Sequence, residues 1–241
     1  MLWMKNWLET RLRFTWAVGF LVFVFTLMYV TFSRAPRNPH NPIPPTQQLA
    51  MILSIYSLFW VVPSAMMAGA GIKTQAPFQA MKGLHGSMHF TLSLPVSRRR
   101  LFFTRAFLGM LQLTGVILAA CFGLWILLPA QFSTLHFSAL DMVRYGLTAL
   151  TCTAVFFSVS TLFATFLDDM WQVWGSFLVI GLLRGLSAIV PIPEKVDLFG
   201  ALAGSSPLIT HTTPWSVVAL SLAATIMLYI AAARIVQTRD Y

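Results

Sequence analysis

The chain has 241 residues, of which 57% are hydrophobic and only 10% charged, and its mean hydropathy is +0.75. Soluble domains carry about 25% charged residues, so this composition excludes a water-soluble fold. The formal net charge of +9 would suit a nucleic-acid partner in a soluble protein. In a chain this apolar it reports topology instead, because Lys and Arg collect on the cytoplasmic side of a membrane.

The N-terminal stretch MLWMKNWLETRLRF is amphipathic at 100° per residue. Trp3, Met4, Trp7, Leu8 and Phe14 share one face, and Lys5, Asn6, Glu9 and Arg13 the other; Arg11 falls on the apolar side and must snorkel. The pattern predicts an interfacial helix over residues 1–15, with its Trp rings at headgroup level. An apolar run over 16–32 follows. It exceeds a signal-peptide core and lacks a clean cleavage site, so it reads as a retained first span. Residues 33–48 hold Pro36, Pro39, Pro42, Pro44 and Pro45, a density that forbids a helix and predicts an extended outer loop. No Asp, Glu, Lys or Arg occurs from Asn38 to Ile72, and a second span is expected over 49–72.

A long polar loop over 73–105 comes next. Pro77 suits the first position of a helix. Phe78, Met81, His85, Met88 and Leu92 then recur at spacings of three and four, one apolar stripe on a short helix. Gly83 and Gly86 weaken that helix by about 1 kcal/mol each, so it must lean on something. Pro95 ends it, and Ser97 stands where the cap of the next helix belongs. Arg98, Arg99 and Arg100 follow at the entrance to a third span over 106–128. In that span Gly115, Ala119 and Gly123 recur every four residues and predict close helix approach.

A fourth span is expected over 145–167. Asp168 and Asp169 form a very short loop before a fifth span over 171–190. Arg184 lies inside that span, ~10 Å of helix from Pro191. It either snorkels outward or contacts a substrate pathway. Residues 191–214 are apolar but proline-broken and too short to span, which predicts an outer re-entrant or interfacial segment covered by protein. A sixth span is expected over 215–233. Lys5, Arg11, Arg13, Lys73, Lys82, Arg98, Arg99, Arg100, Arg105, Arg234 and Arg239 then share one side, against Arg34, Arg37, Arg144 and Lys195 on the other. The asymmetry places both termini in the cytoplasm. The expected fold is an all-α membrane protein of six transmembrane helices, one domain over 1–241.

Chemistry is sparsely signalled. Cys121 and Cys152 lie inside apolar runs and read as small hydrophobes. His85 and His89 are an i,i+4 pair, but the H-E-x-x-H glutamate and a third ligand are missing, so no metal site is assigned. No G-x-x-x-x-G-K-[ST] occurs, so this chain does not bind ATP through a P-loop.

The segment LSLPVSRRRLFFTRAFLGML resembles a motif of the permease subunits of bacterial type-2 ABC exporters. There, LPVSR or a close variant follows a cytoplasmic coupling helix and precedes the third span. The residue-level likeness is confined to about Gly86–Arg105; the expected architecture resembles the family over most of the chain. The resemblance implies a multi-pass permease of the bacterial inner membrane that pairs with a separate ABC ATPase subunit and with a second permease chain, identical or related. ATP and Mg²⁺ would sit on the ATPase, with no cofactor in this chain and no nucleic-acid partner.

It further implies that Phe78, Met81, His85, Met88 and Leu92 face the ATPase. Pro95 with Arg98, Arg99 and Arg100 would be the hinge into span three, and Asp168 and Asp169 a second contact. The chain departs from the family at KGLHGSMHF, which lacks the acidic residues usual there, and so removes the acidic side of a salt bridge. The alternative is an integral membrane enzyme acting on lipid or peptide, which needs titratable groups converging at one depth. Peptide, lipid, drug, glycan and ion all remain open as cargo.

Overall fold

The computed structural model describes residues 2–34, 44–68, 97–132, 135–167, 169–190, 192–193, 195–203 and 205–238. The described residues contain helices and no strand. Long helices are α1 (Leu2–Arg34), α2 (Pro45–Ala68), α3 (Arg98–Gln131), α4 (Ala139–Ala164), α5 (Asp169–Ile189) and α7 (Trp215–Thr238); α6 is the short Leu198–Leu202. Five of them, α1 to α4 and α7, are long and apolar enough to cross a membrane, as expected of a multi-pass membrane protein.

The apolar runs therefore became helices, but several boundaries moved. The interfacial helix expected over 1–15 is not separate from the first span: α1 is unbroken over 33 residues, and its apolar window already begins at Thr10. A buried hydrogen bond also ties this part of α1 to the bundle: Gln112 Nε2 of α3 donates to Thr10 Oγ1 at 2.8 Å. Such a bond inside a membrane protein contributes about 1 kcal/mol. Helix α2 starts at Pro45, four residues before the expected span, because proline is preorganised for a first helical position. It is α-helical over Pro45–Ser57 and Val61–Ala68, with a 3₁₀ turn at Leu58–Trp60 between. Helix α3 begins eight residues before the expected third span.

Helix α4 is the centre. It packs against the second half of α2, α3, α5, α7 and the segment around α6. It also carries the most hydroxyls, with Thr148, Thr151, Thr153, Ser158, Ser160 and Thr161 all buried. Most return a bond to their own helix: Thr148 to Arg144 O at 2.9 Å, Thr153 to Ala149 O at 2.6 Å, Thr161 to Phe157 O at 2.8 Å. The hydroxyls are thereby satisfied without a partner, and their small size lets neighbours approach. One crosses to a neighbour, Ser160 Oγ donating to Ser176 Oγ of α5 at 2.8 Å.

The tight approach in α3 is not along the expected Gly115–Ala119–Gly123 stripe. A methyl group at Gly115 would meet nothing within 4 Å, and Ala119 is exposed. The crossing point is Gly109, where a methyl group would lie 2.8 Å from the Met67 carbonyl oxygen and 2.9 Å from the Phe157 ring. Only Gly123 of the stripe has a close neighbour, the Phe25 ring of α1 at 3.3 Å.

The segment expected to be re-entrant contains α6 and a π-helical turn at Ser205–Ile209. Both pack on α4, and α6 also reaches the first half of α2. Phe199, Leu202 and Leu208 are buried, so helix side chains cover this backbone rather than lipid.

Candidate functional site

The sequence points to the start of α3. The coupling stripe Phe78, Met81, His85, Met88 and Leu92, together with Pro95 and the His85–His89 pair, lies outside the described residues. The cap is present: Ser97 has an extended backbone (φ −61°, ψ 138°), and its hydroxyl accepts from the Arg100 amide at 3.3 Å. The arginine triplet, expected as part of a hinge, is instead the first turn of a helix 34 residues long, or ~51 Å. Arg99 and Arg100 are exposed, and the Arg99 guanidinium sits 5.6 Å from the Phe103 ring centroid; the Arg98 side chain is outside the described set.

This placement runs against the helix dipole. Cations at a helix N-terminus are disfavoured by about 0.3–1 kcal/mol each. No acidic residue stands in the first turn to offset them. The electrostatics at this end favour an anionic surface.

Arg105, one turn further in, is buried. With Met67, Phe157, Thr161 and Thr165 it lines a cavity where α2, α3, α4 and α7 meet. Thr165 donates to Leu162 O at 2.6 Å and Thr161 to Phe157 O, so both hydroxyl protons are used within α4. Asp168 lies outside the described residues. Asp169 is the first residue of α5, and its side chain is likewise outside the described set.

Arg184 is held at the opposite end of the bundle. Its Nη2 donates to Ser54 Oγ of α2 at 2.5 Å and its Nη1 to Ser187 Oγ at 3.5 Å. The guanidinium carbon lies 5.4 Å from the ring centroid of Phe199 in α6. One side chain therefore joins α5, α2 and α6. Phe199 in turn stacks on Phe156 of α4, with centroids 6.0 Å apart.

Sequence reasoning missed a second cluster at this end. Ser138 and Asp141 form a reciprocal capping box at the start of α4: Asp141 N donates to Ser138 Oγ at 3.1 Å and Ser138 N to Asp141 Oδ2 at 3.0 Å. Asp141 is 3% exposed and also takes Arg144 Nη1 at 3.2 Å and His211 Nδ1 at 2.9 Å. Arg144 Nη1 donates to the His211 carbonyl at 2.5 Å. His211 has φ 55°, a left-handed conformation uncommon outside glycine, and these bonds hold it there. The clasp ties the start of α4 to the strap before α7. Nearby, Tyr145 OH donates to Leu202 O at 3.2 Å and pins α6 to α4.

Among the described residues, no group of three or more His, Cys, Asp or Glu is placed to hold a metal ion. The charged groups cluster at the two ends of the bundle, an arrangement suited to electrostatic docking and positioning. No protein-family model and no curated protein matches this sequence.

Proposed function

We propose that this chain is the permease subunit of an ATP-driven ABC transporter, working as an exporter in a bacterial inner membrane. Two such chains form the pathway, and separate ATPase subunits bind ATP and Mg²⁺. Helix α5 is the sixth crossing, and both termini face the cytoplasm. The observation that carries this reading is the capped start of α3. Ser97 begins the helix at the arginine triplet, so charge and span form one rod with no flexible joint between them. A force applied just ahead of Ser97 would tilt the span itself.

The chemistry of each end fits that role. The exposed Arg99 and Arg100 suit headgroups of the inner leaflet and an acidic partner surface. The short passage from α4 to α5, at Asp168 and Asp169, offers a second contact at the same membrane face. At the other face, the protein-covered segment around α6 closes the outer end of the bundle. Nucleotide on the ATPase acts by favouring one arrangement of α2, α3 and α5 over another.

The test is substitution of Phe78 and Met88 by Asp. Association with the ATPase should be lost, because two charges would enter an apolar docking stripe, while membrane insertion remains normal. Retention of the complex by an inserted double variant would refute the coupling assignment.

A further inference from the structure

Arg184 is a permanent charge in the apolar helix α5, and on the reading of α5 as the sixth crossing such a group needs a reason to be there. The contacts of its guanidinium do not neutralise it. Ser54 and Ser187 are neutral hydroxyls, and Phe199 offers only the face of its ring. Among the described residues no carboxylate lies within ion-pair distance of it. Asp197 Oδ1 accepts from the Phe199 amide at 3.1 Å as the cap of α6. Asp141 is engaged by Ser138, Arg144 and His211.

The site is also built to donate. Ser187 gives its proton to the Arg184 carbonyl at 2.8 Å, so its oxygen faces the guanidinium as an acceptor. The Ser54 hydroxyl accepts from Arg184 and keeps its own proton, for which the described residues supply no acceptor. Arg184 retains further N–H donors in the planar fork that suits oxyanions. The residue lies five positions before the end of α5, ~8 Å along the axis.

We propose that Arg184 and the Ser54 hydroxyl form a receptor for a phosphate group at the outer end of the bundle, between α2, α5 and α6. The phosphate is that of an anionic lipid headgroup or a free phosphate anion. The site rests on the proposed reading of α5 as a crossing with this end outside, but it requires no ATPase, so its failure is distinguishable from failure of the coupling assignment.

The experiment uses the full chain in nanodiscs of phosphatidylcholine with a minority of phosphatidylglycerol, released gently for native mass spectrometry. All variants carry R98Q, R99Q and R100Q, which removes the arginine triplet at the start of α3 as a source of retained lipid. The parent should retain phosphatidylglycerol in preference to phosphatidylcholine. R184Q should lose that preference by about tenfold, S54A by a smaller factor, and R184K should keep part of it through its charge. In a second arm, inorganic phosphate is added to the chain in pure phosphatidylcholine nanodiscs. A rise in unfolding temperature that vanishes in R184Q and S54A assigns the site to free phosphate. Loss of phosphatidylglycerol preference without that rise assigns it to lipid. If R184Q fails to fold, S54A and R184K supply the same comparison. Equal phosphatidylglycerol retention in the parent and the folded variants, with no phosphate response, overturns the proposal.

Discussion

Two helices of this molecule start with the same residue and end up in opposite electrostatic states. Ser138 caps α4 and Ser97 caps α3. Three residues into α4 stands Asp141, which returns the bond to Ser138, complements the dipole and collects Arg144 and His211. Three residues into α3 stands Arg100, preceded by two more arginines and followed by no acid in the turn. The α4 end is electrostatically closed and serves the fold. The α3 end has no acidic residue in its first turn to offset its arginines. The difference separates a structural helix start from one suited to docking, although the caps are the same chemical group.

Substitutions that remove charge should therefore act with opposite signs at the two ends. The largest effect is expected for D141A. It deletes the acceptor of two Ser138 bonds, of Arg144 within α4 and of His211 across the strap, at a cost of about 2–3 kcal/mol. The half-exposed His211 supplies less than about 1 kcal/mol of this after solvent screening. Thermal unfolding in neutral detergent should show a drop of several degrees.

Replacing Arg98, Arg99 and Arg100 by Gln should instead raise stability by about 1–2 kcal/mol in neutral detergent at low salt, since it removes cations from the positive end of the dipole. High salt should erase the gain, because exposed charges are screened. If the chain pairs with an ATPase as proposed, the same triple variant should retain less of it in pull-down. A destabilised triple variant would mean that the α3 end is satisfied internally, like the α4 end.

The smallest effects belong to the caps. S138A should cost about 1 kcal/mol. S97A should cost less, because its bond is longer, at 3.3 Å, and belongs to no reciprocal box. Equal losses on chemical denaturation would remove the contrast between the two caps.

Much of this architecture was legible from hydropathy and punctuation. The apolar runs are helices because their backbones have no other way to be satisfied in lipid. Ser97 was legible as a cap because it follows Pro95 and precedes a long helical run. The start of α3 was misplaced for a physical reason: hydropathy marks where the apolar part begins, and a membrane helix can extend past that point on charged residues. Amphipathicity divided α1 in two, and the Thr10–Gln112 bond that fastens this part of it to α3 links positions 102 residues apart. The same distance problem hid the clasp, since Asp141 and His211 lie in separate segments. Its one local signal was Ser138 followed three residues later by Asp141, a capping-box spacing. Arg184 was visible as a charge in an apolar run. Its attachment to Ser54, 130 residues away, was not. Small residues at regular spacing were a poor guide in α3. Close packing fell at Gly109, where Phe157 and the Met67 carbonyl happen to converge.

The account turns on whether a nucleotide-hydrolysing partner docks at the open end of α3. The direct measurement is purification of the chain from its native membrane in mild detergent, followed by identification of what comes with it. The account predicts a P-loop ATPase in equal number with this chain, retained by the wild type and lost from the variant with Asp at positions 78 and 88. A chain that purifies without any nucleotide-binding subunit, from membranes where it is correctly inserted, would contradict it.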